Sequence, residues 1–185
     1  MKTPFTLNNE PFFILGGQVH NSSGYGPQSM QTAWKALAAL GANTAEVPVY
    51  WEQVEPLEGV ITFEHLDGII RGARERGLRL VLLWFATWKN GSMQYAPEWV
   101  KADPQRFPRV KTPGGTETWV LSSHFETTRK ADETAYCKLL EHLRDFDRAE
   151  NTVIGIQIEN EPGILGSVRD YGAEAEASFQ EAIPA

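Results

Sequence analysis

The feature that most constrains the fold of this chain is a repeat of apolar strand, amphipathic helix and glycine, with a spacing of roughly 30 residues. Runs of apolar and β-branched residues predict strands at residues 12–20, 42–51, 78–85 and 153–158. Apolar residues at helical spacing predict helices at residues 27–40, 65–76, 128–148 and 167–183. Strands and helices that alternate in this way form a parallel sheet, so the predicted fold class is α/β.

The last predicted strand ends in a polar cluster. Its continuous apolar run predicts a fully buried strand, and Glu159, Asn160 and Glu161 follow directly. The carboxyl ends of parallel strands are where α/β enzymes place their chemistry. A carboxyl held there, at the edge of a low-dielectric pocket, can serve as a general acid, and Glu161 fits that description. The alternative is a helix start, in which Asn160 caps, Glu161 complements the dipole and Pro162 occupies the first turn.

The same cluster resembles a known motif. Asn160-Glu161-Pro162 resembles the acid/base motif of the clan of retaining glycosidases built on (β/α)8 barrels. The longer stretch, residues 157–163, resembles glycoside hydrolase family 35, the β-galactosidases, whose usual pattern has Tyr in place of Pro162. The resemblance implies that Glu161 is the acid/base, that Asn160 hydrogen-bonds the 2-hydroxyl of the sugar and that Glu159 contacts substrate. It also implies that no metal or organic cofactor is required.

Further matches lie near the ends of the first two predicted strands. Residues 12–20 resemble the opening of the family 35 barrel, in which Gly-Gly precedes a His, and His20 is therefore a candidate cleft residue, although a lone His is more often structural. The segment that begins at Trp51 and continues through Glu55-Pro56 resembles one found after the second strand in families 35 and 42. Tyr50 and Trp51 would then lie at the catalytic end of this strand and face the cleft.

Residues 86–129 predict a long, irregular segment that is rich in aromatic residues and proline. Loops of this length in compact domains are usually functional or disordered, and the aromatic content argues against disorder. We therefore expect this segment to form a wall of the sugar cleft, with Trp84 and Trp88 as the stacking platforms. The pattern after the third strand departs from that of families 35 and 42, which indicates a divergent branch.

The count of βα units gives four, whereas a closed barrel of this kind has eight and typically ~250 residues. The resemblance therefore implies that residues 1–185 form the N-terminal half of a glycoside hydrolase barrel domain. The nucleophile of this clan lies at the end of the seventh strand, so it is unknown here. The expectations are that this chain alone is inactive and that it self-associates through the open edge of its half-barrel.

Composition narrows the partners. A net charge of −7 argues against nucleic acid, and no segment is long and apolar enough to cross a membrane. The start of the chain lacks the apolar stretch of a signal peptide, which favours the cytoplasm, although a processed N-terminus in a secreted or periplasmic protein would leave the same pattern.

The predicted function is hydrolysis of terminal β-galactosides, with a β-linked sugar as partner. The alternatives are a clan member acting on β-mannosides, β-glucosides or arabinosides, and a carbohydrate-binding protein without catalysis.

Overall fold

A computed structural model describes residues 4–182 of the chain. Its centre is a four-stranded parallel sheet in the order β3-β4-β5-β8. These strands are β3 Gly16–Gln18, β4 Thr44–Tyr50, β5 Arg79–Lys89 and β8 Val153–Asn160. Two small antiparallel pairs lie outside the sheet: β1 Thr6–Leu7 with β2 Glu10–Pro11, and β6 Arg109–Lys111 with β7 Glu117–Leu121.

The helices are α1 Gln31–Ala39, α2 Trp51–Val54, α3 Glu64–Arg74, α4 Glu98–Lys101, α5 Glu126–Asp147 and α6 Ala173–Phe179, with a 3₁₀ turn at Ser23–Tyr25. In the described part of the chain, no helix is long and apolar enough to span a membrane.

The three longer helices α1, α3 and α5 pack on one face of the sheet. Val47 of β4 and Leu82 of β5 belong to the same buried cluster as Leu37 of α1, Ile70 of α3 and Leu139 of α5. The opposite face carries a second cluster, formed by Tyr50, Leu83, Phe85 and Tyr95. Strands that neighbour each other in chain order, with their helices on one face, are the arrangement of a barrel wall rather than of a sheet covered on both sides. The predicted α/β fold with a parallel sheet is confirmed.

We call the face that packs against α1, α3 and α5 the helix side, and the face with Tyr50 and Phe85 the inner side. Because side chains alternate along a strand, neighbouring residues of β4 and β5 contribute to opposite clusters. Leu82 and Leu83, for instance, are both almost fully buried, but in different cores.

The first strand is shorter than predicted. Only Gly16–Gln18 pairs with β4, and Phe13 in the predicted segment is 80% exposed. The upstream chain is held instead by the amide of Asn43, which accepts from the Leu15 backbone N–H at 2.9 Å and donates to the Phe13 carbonyl at 2.8 Å. Gly16 is needed for close strand approach, since a Cβ there would lie 2.0 Å from the Thr44 carbonyl oxygen.

The last strand is only partly buried, whereas its apolar run predicted full burial. Strand β8 pairs only with β5 in the described chain, and Ile158 is 64% exposed. Burial of both faces and both edges requires a neighbour on each side, and β8 has one. The apolar sequence therefore marks a strand with a face left open at the edge of the sheet.

The segment after the third strand is more regular than predicted. Strand β5 continues through Lys89, and α4 and the β6–β7 pair follow. The last helix, α6, is shorter than the predicted range 167–183, whose final residue lies outside the described part of the chain.

Candidate active site

A two-residue turn closes the end of β5. Asn90 and Gly91 have φ values of 53° and 64°, and Lys89 and Ser92 exchange backbone hydrogen bonds of 2.8 and 3.2 Å. Left-handed conformations at both central residues define a type I′ turn, for which Asn-Gly is the preferred sequence. The turn therefore follows from local sequence, and its position at the carboxyl end of β5 follows from the sheet.

This turn holds the end of β8. The Asn90 N–H donates to the Asn160 carbonyl at 3.1 Å, and the Gly91 N–H donates to the Glu161 carbonyl at 3.2 Å. The Asn160 side-chain amide also donates to the Asn90 side-chain oxygen at 3.1 Å. Three hydrogen bonds between this turn and residues 160–161 thus hold in place the two residues that the sequence singles out.

Lys89 places a positive charge on the inner side of this end of the sheet. Its side chain is largely buried, and its Nζ lies 4.6 Å from the centroid of the Phe85 ring and 2.7 Å from the Asn90 Oδ1 atom. Burial lowers the pKa of the Lys89 ammonium, and the nearby negative charge of Glu161 opposes that shift. The Glu161 charge therefore acts on the Lys89 ammonium, and the Glu161 backbone is held by the turn that follows Lys89.

Glu161 itself is exposed in the described chain rather than enclosed in a pocket. Its φ of 50° is in the left-handed region, which Glu adopts rarely and which is held here by the backbone bond to Gly91. The predicted position just beyond the strand is found, but the predicted low-dielectric surroundings are not formed by residues 4–182 alone.

Glu159 lies on the opposite side of the sheet. Its carboxylate accepts from the backbone N–H groups of Thr87 at 3.1 Å and Trp88 at 2.8 Å. Asp132 of α5 accepts from the same Thr87 N–H at 3.2 Å and from the Trp84 indole at 2.8 Å. The contact of Glu159 with the sugar stays a prediction, and in this structure its carboxyl is bound to the backbone at the end of β5.

The environment of Glu159 has a strong effect on its protonation. Burial raises the pKa of the Glu159 carboxyl far above its usual range, and the hydrogen bond to Asp132 and the charge of Asp132 raise it further. The amides of Thr87 and Trp88 act in the opposite direction and do not cancel the effect. These surroundings therefore favour the protonated form of the Glu159 carboxyl.

Trp84 and Trp51 are not cleft residues, contrary to prediction. Both are fully buried in the core on the helix side. The Trp51 indole donates to Glu55 at 3.0 Å, and its ring packs edge-to-face on Trp99 at 5.8 Å. The sequence correctly placed both residues near the carboxyl end of a strand. Strand alternation turns Trp84 toward α5, however, and Trp51 already belongs to α2.

Tyr50 faces the inner side, as a cleft residue would, but it is fully covered. Its ring stacks on Tyr25 at 4.3 Å and contacts Tyr95 at 4.8 Å, and its hydroxyl donates to the Asn21 carbonyl. Burial raises the pKa of the Tyr50 hydroxyl, with smaller contributions from the neighbouring tyrosines. Tyr50 is thus covered by neighbouring tyrosine rings on the inner side and is not accessible to a ligand in this structure.

The remaining two candidates lie in different places. His20 is exposed, hydrogen-bonds the Ser22 hydroxyl at 2.9 Å and borders a groove of about 680 Å³ between β3 and α1, which includes neither Asn160 nor Glu161. Trp88 is half-buried and lines two grooves, one with Glu159 and one with Pro162. Of the predicted aromatic platforms, Trp88 is therefore the one next to the polar cluster.

Three residues of the site were missed at the level of sequence: Lys89, Asn90 and Asp132. The Asn90-Gly91 pair is a recognisable turn signal, and a β5 strand extended to it would have included Lys89. Asp132 gives no such signal, because it is one of many polar residues on α5 and only tertiary packing brings it to Thr87.

These observations define a class. A parallel sheet in chain order with its helices on one face, and an Asn-Glu pair at the carboxyl end of its fourth strand, are the features of barrel glycosidases. The family model described as Glyco_hydro_42, Beta-galactosidase, matches residues 24–184. The chain belongs to this family of glycoside hydrolases. The finer resemblance to family 35 is not confirmed, since the match falls on family 42, a related member of the same clan.

Individual relatives agree with the family. A β-galactosidase of Xanthomonas manihotis is 25% identical over 190 residues, and the alignment covers 97% of this chain and 29% of the relative. The human β-galactosidase-1-like protein 3 is 27% identical over 186 residues, covering 92% of this chain and 25% of the relative. This chain therefore spans between a quarter and a third of the length of these curated relatives.

Solved structures show the same fold. The β-galactosidase of Bacillus circulans sp. alkalophilus superposes with a TM-score of 0.68 at 22% identity, over 90% of this chain and 23% of that one. A catalytic mutant of Gan42B, a GH42 β-galactosidase from G. stearothermophilus, gives a TM-score of 0.66 at 23% identity, with the same coverage. The parallel sheet described above thus corresponds to part of the barrel of these glycosidases.

Proposed function

We propose that this chain is the acid/base-bearing part of a retaining glycosidase that hydrolyses terminal β-galactosides. Family membership supports the reaction class. The observation that carries the proposal is the position of Glu161, which lies just beyond the carboxyl end of β8, is exposed, and has its backbone held by the turn at Asn90-Gly91. Its exposed carboxyl is accessible to a glycosidic oxygen, whereas the Glu159 carboxyl accepts from the backbone N–H groups of Thr87 and Trp88.

The proposed reaction uses Asn160 and Glu161 in sequence. Asn160 donates a hydrogen bond to the 2-hydroxyl, an interaction that strengthens in the oxocarbenium-like transition state. Glu161 protonates the departing glycosidic oxygen while a second carboxylate attacks the anomeric carbon. Glu161 then takes a proton from the water that releases the sugar. Between the two half-reactions Glu161 is a carboxylate, and the positive charge of Lys89 favours that form.

The nucleophile is proposed to lie outside residues 1–185. Retaining glycosidases hold their two carboxyl groups ~5 Å apart on either side of the scissile bond. Glu159 does not meet this requirement, because its carboxyl is bound to the backbone of Thr87 and Trp88 on the helix side. We therefore also propose that residues 1–185 correspond to the N-terminal half of the barrel domain.

The test uses the 185-residue chain and its Glu161→Gln variant with nitrophenyl β-galactoside. We expect no hydrolysis by either protein, because one carboxylate cannot complete a retaining cycle. We also expect galactose-containing ligands to shift the NMR signals of Asn160, Glu161 and Trp88 in the unmodified chain. Hydrolysis by the unmodified chain that Glu161→Gln reduces would show that the nucleophile lies within the chain, and the absence of any shift would contradict a sugar site here.

The same experiment also tests two alternative functions. A clan member for other sugars would show larger shifts with β-mannosides, β-glucosides or arabinosides than with galactosides. A carbohydrate-binding protein without catalysis would bind galactosides in its longest natural form and still fail to hydrolyse them. The half-buried Trp88 beside Pro162 is compatible with all three, since aromatic rings bind the apolar faces of many pyranoses.

We further propose that the isolated chain pairs with itself. Its sheet has open edges at β3 and β8, and Phe13 and Ile158 beside them are 80% and 64% exposed. Unpaired edges with apolar surface associate. Sedimentation should show a dimer or larger species, and a well-behaved monomer with a cooperative melting transition would contradict this. Nucleic acid and membranes are not proposed as partners, and a cytoplasmic location remains a proposal from the sequence.

A further inference from the structure

The two carboxyl groups on the helix side meet at one backbone N–H. The Thr87 N–H lies 3.1 Å from a Glu159 oxygen and 3.2 Å from an Asp132 oxygen, so these two oxygens are neighbours. The remaining donors, from the Thr87 hydroxyl, the Trp84 indole and the Trp88 N–H, are divided between the same two groups. Two ionised carboxylates that accept from the same N–H repel each other.

The charged groups around this pair do not neutralise it. Arg129 and Glu133 of α5 line the same groove, but the Arg129 guanidinium pairs with Glu126 at 2.8 Å and with Glu133 at 2.7 Å. On the strand side, Lys89 is hydrogen-bonded to Asn90. Within residues 4–182, neither carboxyl has an ion-pair partner among the bridges described, so a proton is the charge that stabilises the pair.

We propose that Glu159 and Asp132 share one proton, and that this acid pair locks the end of β8 onto β5 and α5. Glu159 is then a positioning residue rather than a sugar ligand. That it positions a catalytic group rests on the proposed function of Glu161, whereas the sharing of the proton does not.

The lock acts through the backbone. Glu159 and Glu161 have φ values of 60° and 50°, and this left-handed geometry is disfavoured for Glu unless it is held in place. The hydrogen bonds of the Glu159 carboxyl hold Glu159, and the turn at Asn90 holds Asn160 and Glu161. Together they hold the backbone of residues 159–161 in this conformation.

The lock has a defined dependence on pH. The pair binds its shared proton in the folded state at a pH at which an unfolded Glu is ionised, so the folded state binds more protons. The contribution of the shared proton to stability is therefore fully present below the unfolded pKa of about 4.3. It is lost as pH rises toward the raised folded pKa, by up to about tenfold in the unfolding constant per pH unit.

The test measures urea unfolding of the 185-residue chain between pH 5 and pH 9 for five proteins: the unmodified chain, Glu159→Gln, Asp132→Asn, Glu159→Ala and Glu133→Gln. An amide can replace the shared proton by donating to the remaining carboxylate. We therefore expect Glu159→Gln and Asp132→Asn to remove most of the pH slope and to be more stable than the unmodified chain at pH 9. Glu159→Ala should be less stable at every pH, and the control Glu133→Gln should keep the original slope.

A second readout is spectroscopic. The infrared stretch of a protonated carboxyl should be present in the unmodified chain and in Glu133→Gln at pH 8, and absent in Glu159→Gln. NMR signals of Asn160 and Glu161 should be retained in Glu159→Gln and displaced in Glu159→Ala. An unchanged slope in both amide variants, or an absent infrared signal in the unmodified chain, would overturn the proposal. Failure of the unmodified chain to bind sugar, with the slope and the infrared signal present, would count against the proposed function alone.

Discussion

The two glutamates at the carboxyl end of β8 differ in their surroundings. The Glu159 carboxyl accepts from two backbone N–H groups beside Asp132 on the helix side, and burial raises its pKa. Glu161 is exposed, and its charge opposes the lowering of the Lys89 pKa by burial. The same side chain two positions apart thus serves packing in one case and is available for chemistry in the other, because strand geometry and burial decide its surroundings.

We expect the largest effect on turnover from Glu161→Gln, in a protein that contains both halves of the barrel. Loss of the general acid should reduce turnover of galactosides with poor leaving groups by about 10²–10⁴-fold. Nitrophenyl galactosides, whose leaving group needs little protonation, should lose less in the glycosylation step. Steady-state kinetics on both substrates would measure this, and equal losses on the two would argue against a proton-donating role.

The two tryptophans of β5 offer the next test. Trp84→Ala should destabilise the fold by about 3–5 kcal/mol, because the side chain is fully buried and its indole binds Asp132. Trp88→Ala should cost much less stability, because that side chain is half-buried, and should weaken galactoside binding. Urea unfolding and NMR titration measure the two effects. A Trp84→Ala variant of unchanged stability would contradict its assignment to the core.

A smaller effect is expected at the turn that holds the inner side. Gly91→Ala should cost about 1–2 kcal/mol, because φ is 64° and a Cβ would lie 3.2 Å from the Leu165 side chain and backbone. Gly114→Ala is a suitable control, since a Cβ there meets nothing closer than 3.9 Å. Thermal melting would measure both, and similar losses in the two variants would show that the turn has no special importance.

The smallest expected effect separates the groove at His20 from the site at Glu161. His20→Ala should leave both galactoside binding and stability nearly unchanged, within ~0.5 kcal/mol, because the side chain is exposed and bonds only locally to Ser22. A large loss of sugar binding in this variant would restore His20 to the cleft, as the sequence predicted.

The sequence by itself determined the alternation of strands and helices, the order of the sheet and the place of Asn160 and Glu161 at a strand end. These properties depend on local periodicity and on glycines, which can be read along the chain. Helix α3 was predicted to within two residues at each end for this reason. The family-level function could be predicted because the short motif combines with a buried-strand pattern before it.

Only the tertiary structure decided which side each residue faces. Strand β5 carries a register irregularity between Trp84 and Lys89, so simple alternation does not predict the directions of Thr87 and Trp88. Trp84 and Trp51 were assigned to the cleft from their positions along the chain, yet both are buried in the core on the helix side. The pairing of Glu159 with Asp132 joins residues from a strand and a helix far apart in sequence, and contacts of that kind arise from packing rather than from any local pattern.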